Sequence, residues 1–183
     1  MVNASVARGR TTVNRPIDDP AYEALFRTEV TTMIRLAGLL GADDPENLVQ
    51  EAFLRLHDRW PGIRYSDSPV AYLRTIVVNL VRSRQRHLRV VRRHLPPNEA
   101  HAASAEDLVV LRAEHTSLMD ALDSLAPRRR EALVLRYWLD LSEAQIADVM
   151  NTSPGTVKSQ LSRGLTALRE VMAGSQHSGG PDG

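Results

Sequence analysis

The stretch Leu141–Gly164, LSEAQIADVMNTSPGTVKSQLSRG, decides how this chain is read. Ser142-Glu143-Ala144-Gln145 has the S-x-x-Q form of a capping box, in which Ser142 accepts from the Gln145 amide and Gln145 reaches back. Ile146, Val149 and Met150 give the short helix that follows an inward face. Asn151-Thr152 makes a tight turn, Ser153 can cap, and Pro154 suits the first position of a second helix. Val157, Leu161, Leu165 and Leu168 are its buried stripe. Two short capped helices joined by a tight turn predict a helix-turn-helix, whose second helix enters the major groove of DNA.

Taking away the buried stripe leaves Ser153, Gly155, Thr156, Lys158, Ser159, Ser162 and Arg163 as the candidate DNA contacts. Hydroxyls meet phosphates or base edges, and a guanidinium pairs bidentately with guanine. Lys158 and the helix N-terminus favour phosphate oxygens. A plain helical hairpin with a solvated polar face explains any one of these residues equally well. It explains the capped pair of helices with a small, basic outer face much less well.

The rest of the chain agrees with a helical protein. Hydrophobic residues make up 43% of the 183, aromatics only 4%, and the apolar segments follow helical spacing. There is no cysteine, so disulfides and thiolate metal sites are excluded. The six histidines show neither H-x-x-x-H nor H-E-x-x-H spacing, and no metal or cofactor is expected. No apolar run approaches the ~18 residues of a membrane span, and the first residues lack the apolar core of a secretory signal. Those two absences make the expectation a cytoplasmic protein, and the lack of a phosphate-binding glycine loop or nucleophilic triad pattern makes it a chain that is not an enzyme.

Upstream, three helical stripes are legible. Tyr22, Leu25, Phe26, Val30, Met33, Ala37 and Leu40 form the first, ended by Gly41. The second opens at Asp44-Pro45, carries Val49, Ala52, Phe53, Leu56 and Trp60, and is expected to stop at Pro61-Gly62. The third opens at Ser68-Pro69 and carries Val70, Leu73, Ile76, Val77, Leu80 and Val81. Its end is dense in arginine, from Arg82 through Arg84, Arg86, Arg89, Arg92 and Arg93, almost without balancing acid. A like-charged run of this kind points to a polyanion. The second helix instead begins acidic, with Asp43, Asp44, Glu46 and Glu51. The helix dipole accounts for the first-turn carboxylates but less well for Glu51.

The expected organisation is therefore all-α: two small helical domains joined by a flexible linker. Residues 1–18 form a tail, 19–90 a first domain, 91–106 the linker, 107–173 a second domain and 174–183 a second tail.

Several segments resemble the bacterial sigma factors of RNA polymerase. DDPENLVQEAFLRL (Asp43–Leu56) is similar to their region 2.2 helix, AYLRTIVVNLVRSRQR (Ala71–Arg86) to the promoter-melting helix, and LDSLAPRRREALVLRY (Leu122–Tyr137) with the helix-turn-helix to region 4. Region 2 joined almost directly to region 4 points to the extracytoplasmic-function (ECF) group. The pattern V-V-N-L-V-R-S-R resembles an actinobacterial branch.

The resemblance implies that Asp44, Glu46, Gln50, Glu51, Leu54 and Arg55 bind polymerase core at the β′ clamp helices, with region 4 toward the β flap. It implies that Arg64, Tyr65 and Ser66 capture an unstacked −10 base, while Asn79, Arg82 and Arg86 hold promoter DNA. The helix-turn-helix would read the −35 element. Implied partners are the polymerase core, promoter DNA and an anti-sigma factor. Gln160 stands where many relatives have arginine and Ser83 where many have aspartate, so those two contacts are not carried over. Two rivals remain open at this point: a ligand-sensing regulator using the same helix-turn-helix, and a polymerase-binding scaffold that does not touch DNA.

Overall fold

Helix after helix begins with the same device. Asp19-Pro20, Asp44-Pro45, Ser68-Pro69 and Ser153-Pro154 each place a short polar acceptor before a residue whose φ is already helical. Asp19 accepts from the Ala21 amide, Asp44 from Asn47, Ser68 from Ala71 and Ser153 from Thr156. The computed structural model describes residues 19–65, 68–94 and 111–177, and their secondary structure is seven α-helices.

Helices α1 (Pro20–Leu39), α2 (Pro45–Ile63) and α3 (Pro69–His94) build the first half. Met33, Leu36, Leu48, Leu56, Leu73 and Val77 are fully buried between them. At one end, Tyr22 packs edge-on against Phe53 and Trp60, with ring centroids 6.3 and 5.2 Å away. Its hydroxyl donates to the Phe53 carbonyl at 2.8 Å, and burial pushes its pKa up to about 12. Helix α2 passes through Pro61-Gly62 and ends only at Ile63. The expected stop there is corrected by about one turn of helix.

Helices α4 (Leu111–Ser124), α5 (Pro127–Tyr137), α6 (Glu143–Met150) and α7 (Pro154–His177) form the second half, centred on Leu135, Ile146, Met150 and Val157. Gly164 lets α7 cross α5 closely, since a Cβ there would lie 3.1 Å from the buried Leu133 side chain. Helix α3 continues to His94 and α7 to His177. Residues 91–94, expected in the linker, and 174–177, expected in the tail, are therefore helical. The remainder of the expected linker and both outer tail segments lie outside the described residues.

The two halves pack against each other. Arg130 of α5 is buried, donates from Nε to the Leu39 carbonyl at 2.5 Å and pairs with Asp123. Gln85 of α3 donates to the carbonyls of Leu40 and, at 3.3 Å, Gly41. Gly41 has φ +84°, and a Cβ on it would sit 2.8 Å from Arg130 Nη1. Glycine at this turn thus satisfies both a left-handed backbone and the close approach of an arginine from the other half.

Candidate nucleic-acid interface

The helix-turn-helix is built as its caps require. Ser142 Oγ accepts from the Gln145 amide at 3.2 Å, and Gln145 Oε1 accepts from the Ser142 amide at 2.9 Å. Asn151 then closes α6 in the left-handed region, with φ 49°, which asparagine tolerates better than most residues. Thr152 follows, and Ser153 caps α7. The reversal places α7 with Val157 and Leu161 inward.

Of the proposed −35 residues, Ser153, Gly155, Thr156, Lys158, Ser162 and Arg163 are exposed, and Ser159 is half-buried. They occupy the first turns of α7 as one polar, basic surface. The Thr156 hydroxyl is 2.9 Å from Ser153 Oγ. It therefore belongs to the cap as well as to the surface. Gln160 is half-buried.

The proposed −10 residues are arranged differently. Asn79, Arg82 and Arg86 share one face of α3, three and four residues apart. Asn79 and Arg86 are exposed, but Arg82 is not free. Its Nε donates to Glu131 Oε2 at 2.9 Å and its Nη2 pairs with Glu131 Oε1. Glu131 lies on α5, in the half that carries the helix-turn-helix, and its side chain is only 5% exposed. Arg82 Nη1 also donates to Asn79 Oδ1 at 3.2 Å. Its Nη2 lies 3.4 Å from the Met150 carbonyl at the end of α6. Sequence reasoning missed Glu131, because a glutamate among three arginines in PRRRE reads as helix-surface charge balance. Nothing in the spacing links it to a residue 49 positions earlier.

Arg64 and Tyr65 follow α2 directly, with Arg64 as its C-cap. The Arg64 guanidinium carbon sits 4.5 Å from the Tyr65 ring centroid. The ring is 80% exposed, so Tyr65 is not a packing residue. Asp19, at the start of α1, accepts from Trp60 Nε1 at 2.8 Å and from Arg64 Nη1 at 3.3 Å. The Trp60 hydrogen bond is the largest influence holding the Asp19 carboxyl below its ordinary pKa. Ser66, the remaining −10 candidate, lies outside the described residues.

On α2 the core-binding candidates divide. Glu46, Gln50, Leu54 and Arg55 are exposed, whereas Asp44 and Glu51 are half-buried and occupied within the fold. Asp44 caps α2, and its hydrogen bonds from Asn47 lower its pKa. Glu51 pairs with Arg55 at 2.7 Å and Arg84 at 3.4 Å, which ties α2 to α3. Leu54 lies in a shallow apolar groove with Tyr22, Phe26, Gln50 and Phe53. Phe26, assigned to the core by its spacing, is 39% exposed and stacks edge-on to Phe53 at 4.8 Å.

Among the described residues no His/Cys/Asp/Glu group is arranged to hold a metal ion, and no helix is long and apolar enough to cross a membrane.

Comparison with known proteins matches the same two halves. Residues 25–89 match sigma-70 region 2 and residues 115–168 match sigma-70 region 4. The chain is 36% identical over 155 residues to the RNA polymerase sigma-E factor of Streptomyces avermitilis, covering 82% of this chain and 84% of that protein. It is 31% identical to the ECF RNA polymerase sigma factor SigE of Mycolicibacterium smegmatis over 84% of its own length and 62% of the relative's. The fold resembles that of the sigma factor RpoE from Bartonella quintana, solved in complex with the anti-sigma factor NepR. The TM-score is 0.67 at 23% identity, over 83% of this chain and 96% of that one. With both sigma regions present in order and ECF relatives matched over most of its length, the chain belongs to the ECF sigma factors of RNA polymerase.

Proposed function

We propose that this sigma factor binds RNA polymerase core and directs initiation at its own promoters, with α7 reading the −35 element and α3 with the α2–α3 loop engaging and melting the −10 element. The observation that carries the reading is the capped α7, whose exposed Gly155, Thr156, Lys158, Ser162 and Arg163 form one surface free of bulky apolar side chains. Arg163 supplies base discrimination and Lys158 phosphate attraction. The Leu54 groove and the exposed Glu46, Gln50 and Arg55 face the β′ clamp helices, with Asp44 and Glu51 holding α2 in shape behind them. Region 4 contacts the β flap. Catalysis stays with the polymerase, and the site of action is the cytoplasm, where promoter and polymerase are.

Arg82 sets an order of events. While it is paired with Glu131 it cannot hold promoter phosphate, so the two halves separate before the −10 element is engaged. Glu131 would not be left as a lone charge, since Arg128 of its own helix is already 3.6 Å away. The exchange therefore costs less than breaking an isolated buried pair.

An anti-sigma factor is the partner proposed for the docked form. A second apolar groove, which includes Leu39, Leu122, Val134, Tyr137, Trp138 and Leu168, runs across the junction of the halves. Tyr137 and Trp138 are exposed there, which suits the apolar face of a partner helix. A repressor with the same helix-turn-helix would have no use for the region 2 half. Reconstitution with core polymerase, followed by start-site mapping and alignment of the upstream sequences, tests the reading. Specific starts preceded by paired −35 and −10 motifs are expected, and core polymerase that gains no promoter selectivity would refute it.

A further inference from the structure

Tyr65 presents an almost bare ring to solvent, and an exposed ring on a short loop has no packing of its own to fix its direction. Its neighbour supplies a substitute. The Arg64 guanidinium lies 4.5 Å from the ring centroid, a cation–π distance, and covers one side of the ring. Arg64 is in turn held by Asp19 Oδ2 at 3.3 Å. Asp19 itself is anchored twice, by the Ala21 amide at 3.0 Å and the indole of the buried Trp60 at 2.8 Å. A rigid aromatic core, a carboxylate, a guanidinium and an exposed ring thus form one connected chain of contacts. Asp19 lies ahead of residues 25–89, the stretch matching region 2.

We propose that Asp19 is a positioning residue for base capture, its carboxylate fixing Arg64 so that Arg64 holds the Tyr65 ring ready to stack an unpaired promoter base. This rests on the reading given above of the α2–α3 loop, with Tyr65 in it, as the element that captures an unstacked −10 base. The planar guanidinium matters because it covers one side of the ring and leaves the other for a base. Without the Asp19 charge, Arg64 is a long side chain free to leave the ring.

The test uses holoenzyme reconstituted from the full chain and core polymerase. The probes are forked promoter DNAs whose single-stranded −10 non-template positions are replaced one at a time by abasic sites. The reading is the ratio of affinities for intact and abasic DNA at the position of largest effect. Asp19→Asn keeps an oxygen to cap the Ala21 amide but removes the charge and the second acceptor, which faces Trp60 and Arg64. It should lower the ratio by about two- to fivefold, the range for an exposed ion pair, at unchanged core affinity and with a small fall in melting temperature from the lost Trp60 hydrogen bond. Arg64→Lys, which keeps the charge but loses the plane, should lower it similarly. Tyr65→Ala should bring the ratio close to one, and adding Asp19→Asn to it should change nothing further. A wild-type ratio in Asp19→Asn, beside a collapsed one in Tyr65→Ala, overturns the positioning role. A further loss in the double variant does the same, because Asp19 would then act by another route. An unchanged ratio in Tyr65→Ala removes the stacking reading itself, and the positioning role with it.

Discussion

Helices α3 and α7 both carry basic residues proposed to meet DNA, yet the fold treats them in opposite ways. Helix α7 spends its apolar stripe on its own half and leaves its polar face open. Helix α3 lends Arg82 to the other half, where it meets the buried Glu131, and uses Gln85 to tie down the turn at Gly41 within its own half. A recognition surface that reads intact duplex can stand ready at all times. One proposed to melt and hold DNA can be kept occupied until polymerase and promoter are both present. The difference shows that similar charge patterns are given different availability by what lies opposite them.

The most direct way to break this contrast is at Glu131. Glu131→Ala should cost about 3 kcal/mol of stability, as expected when a buried pair loses one member. It should also increase the radius of gyration measured by small-angle X-ray scattering. Unchanged dimensions would mean that the pair does not hold the halves together. On the open side, Arg163→Ala should cost about 1–3 kcal/mol of discrimination at one −35 base pair. Selection-based mapping of bound sequences would show it, and a uniform loss across sequences would assign Arg163 to phosphate instead.

Gly41→Ala tests the docking from the other direction. The left-handed φ and the approach to Arg130 together should cost about 1–2 kcal/mol, seen as a lower denaturation midpoint with α7 binding to −35 DNA unaffected. The smallest effect is expected at Lys158. Its replacement by alanine should weaken −35 binding evenly and lower the slope of log affinity against log salt by about one. A change confined to particular sequences would instead make Lys158 a base reader.

Much of this was legible along the chain, for local reasons. The caps at Asp44, Ser68, Ser142 and Ser153 act within three residues of themselves, so their meaning is contained in short stretches of sequence. The same holds for the left-handed closure at Asn151. Where local rules were followed too strictly they misplaced boundaries. Pro61 did not stop α2, because a proline costs its helix only one amide donor and some steric room, and packing of the preceding turns outweighs both. Phe26 fits the α1 stripe, but the stripe is wider than the surface α2 covers, so the ring sits at its edge.

The functional residues divide along the same line. By itself the sequence determined the helices, the helix-turn-helix and the identity of its outward face, since these follow from hydrophobic period and capping over a few turns. It also raised the expectation of a polyanion partner for α3 through uncompensated arginine. Only the tertiary structure decided which of those arginines are available. Arg82 and Glu131 are 49 residues apart, and Asp19 and Arg64 are 45 apart. Pairings at such separations are set by how whole helices pack, which no short-range pattern encodes.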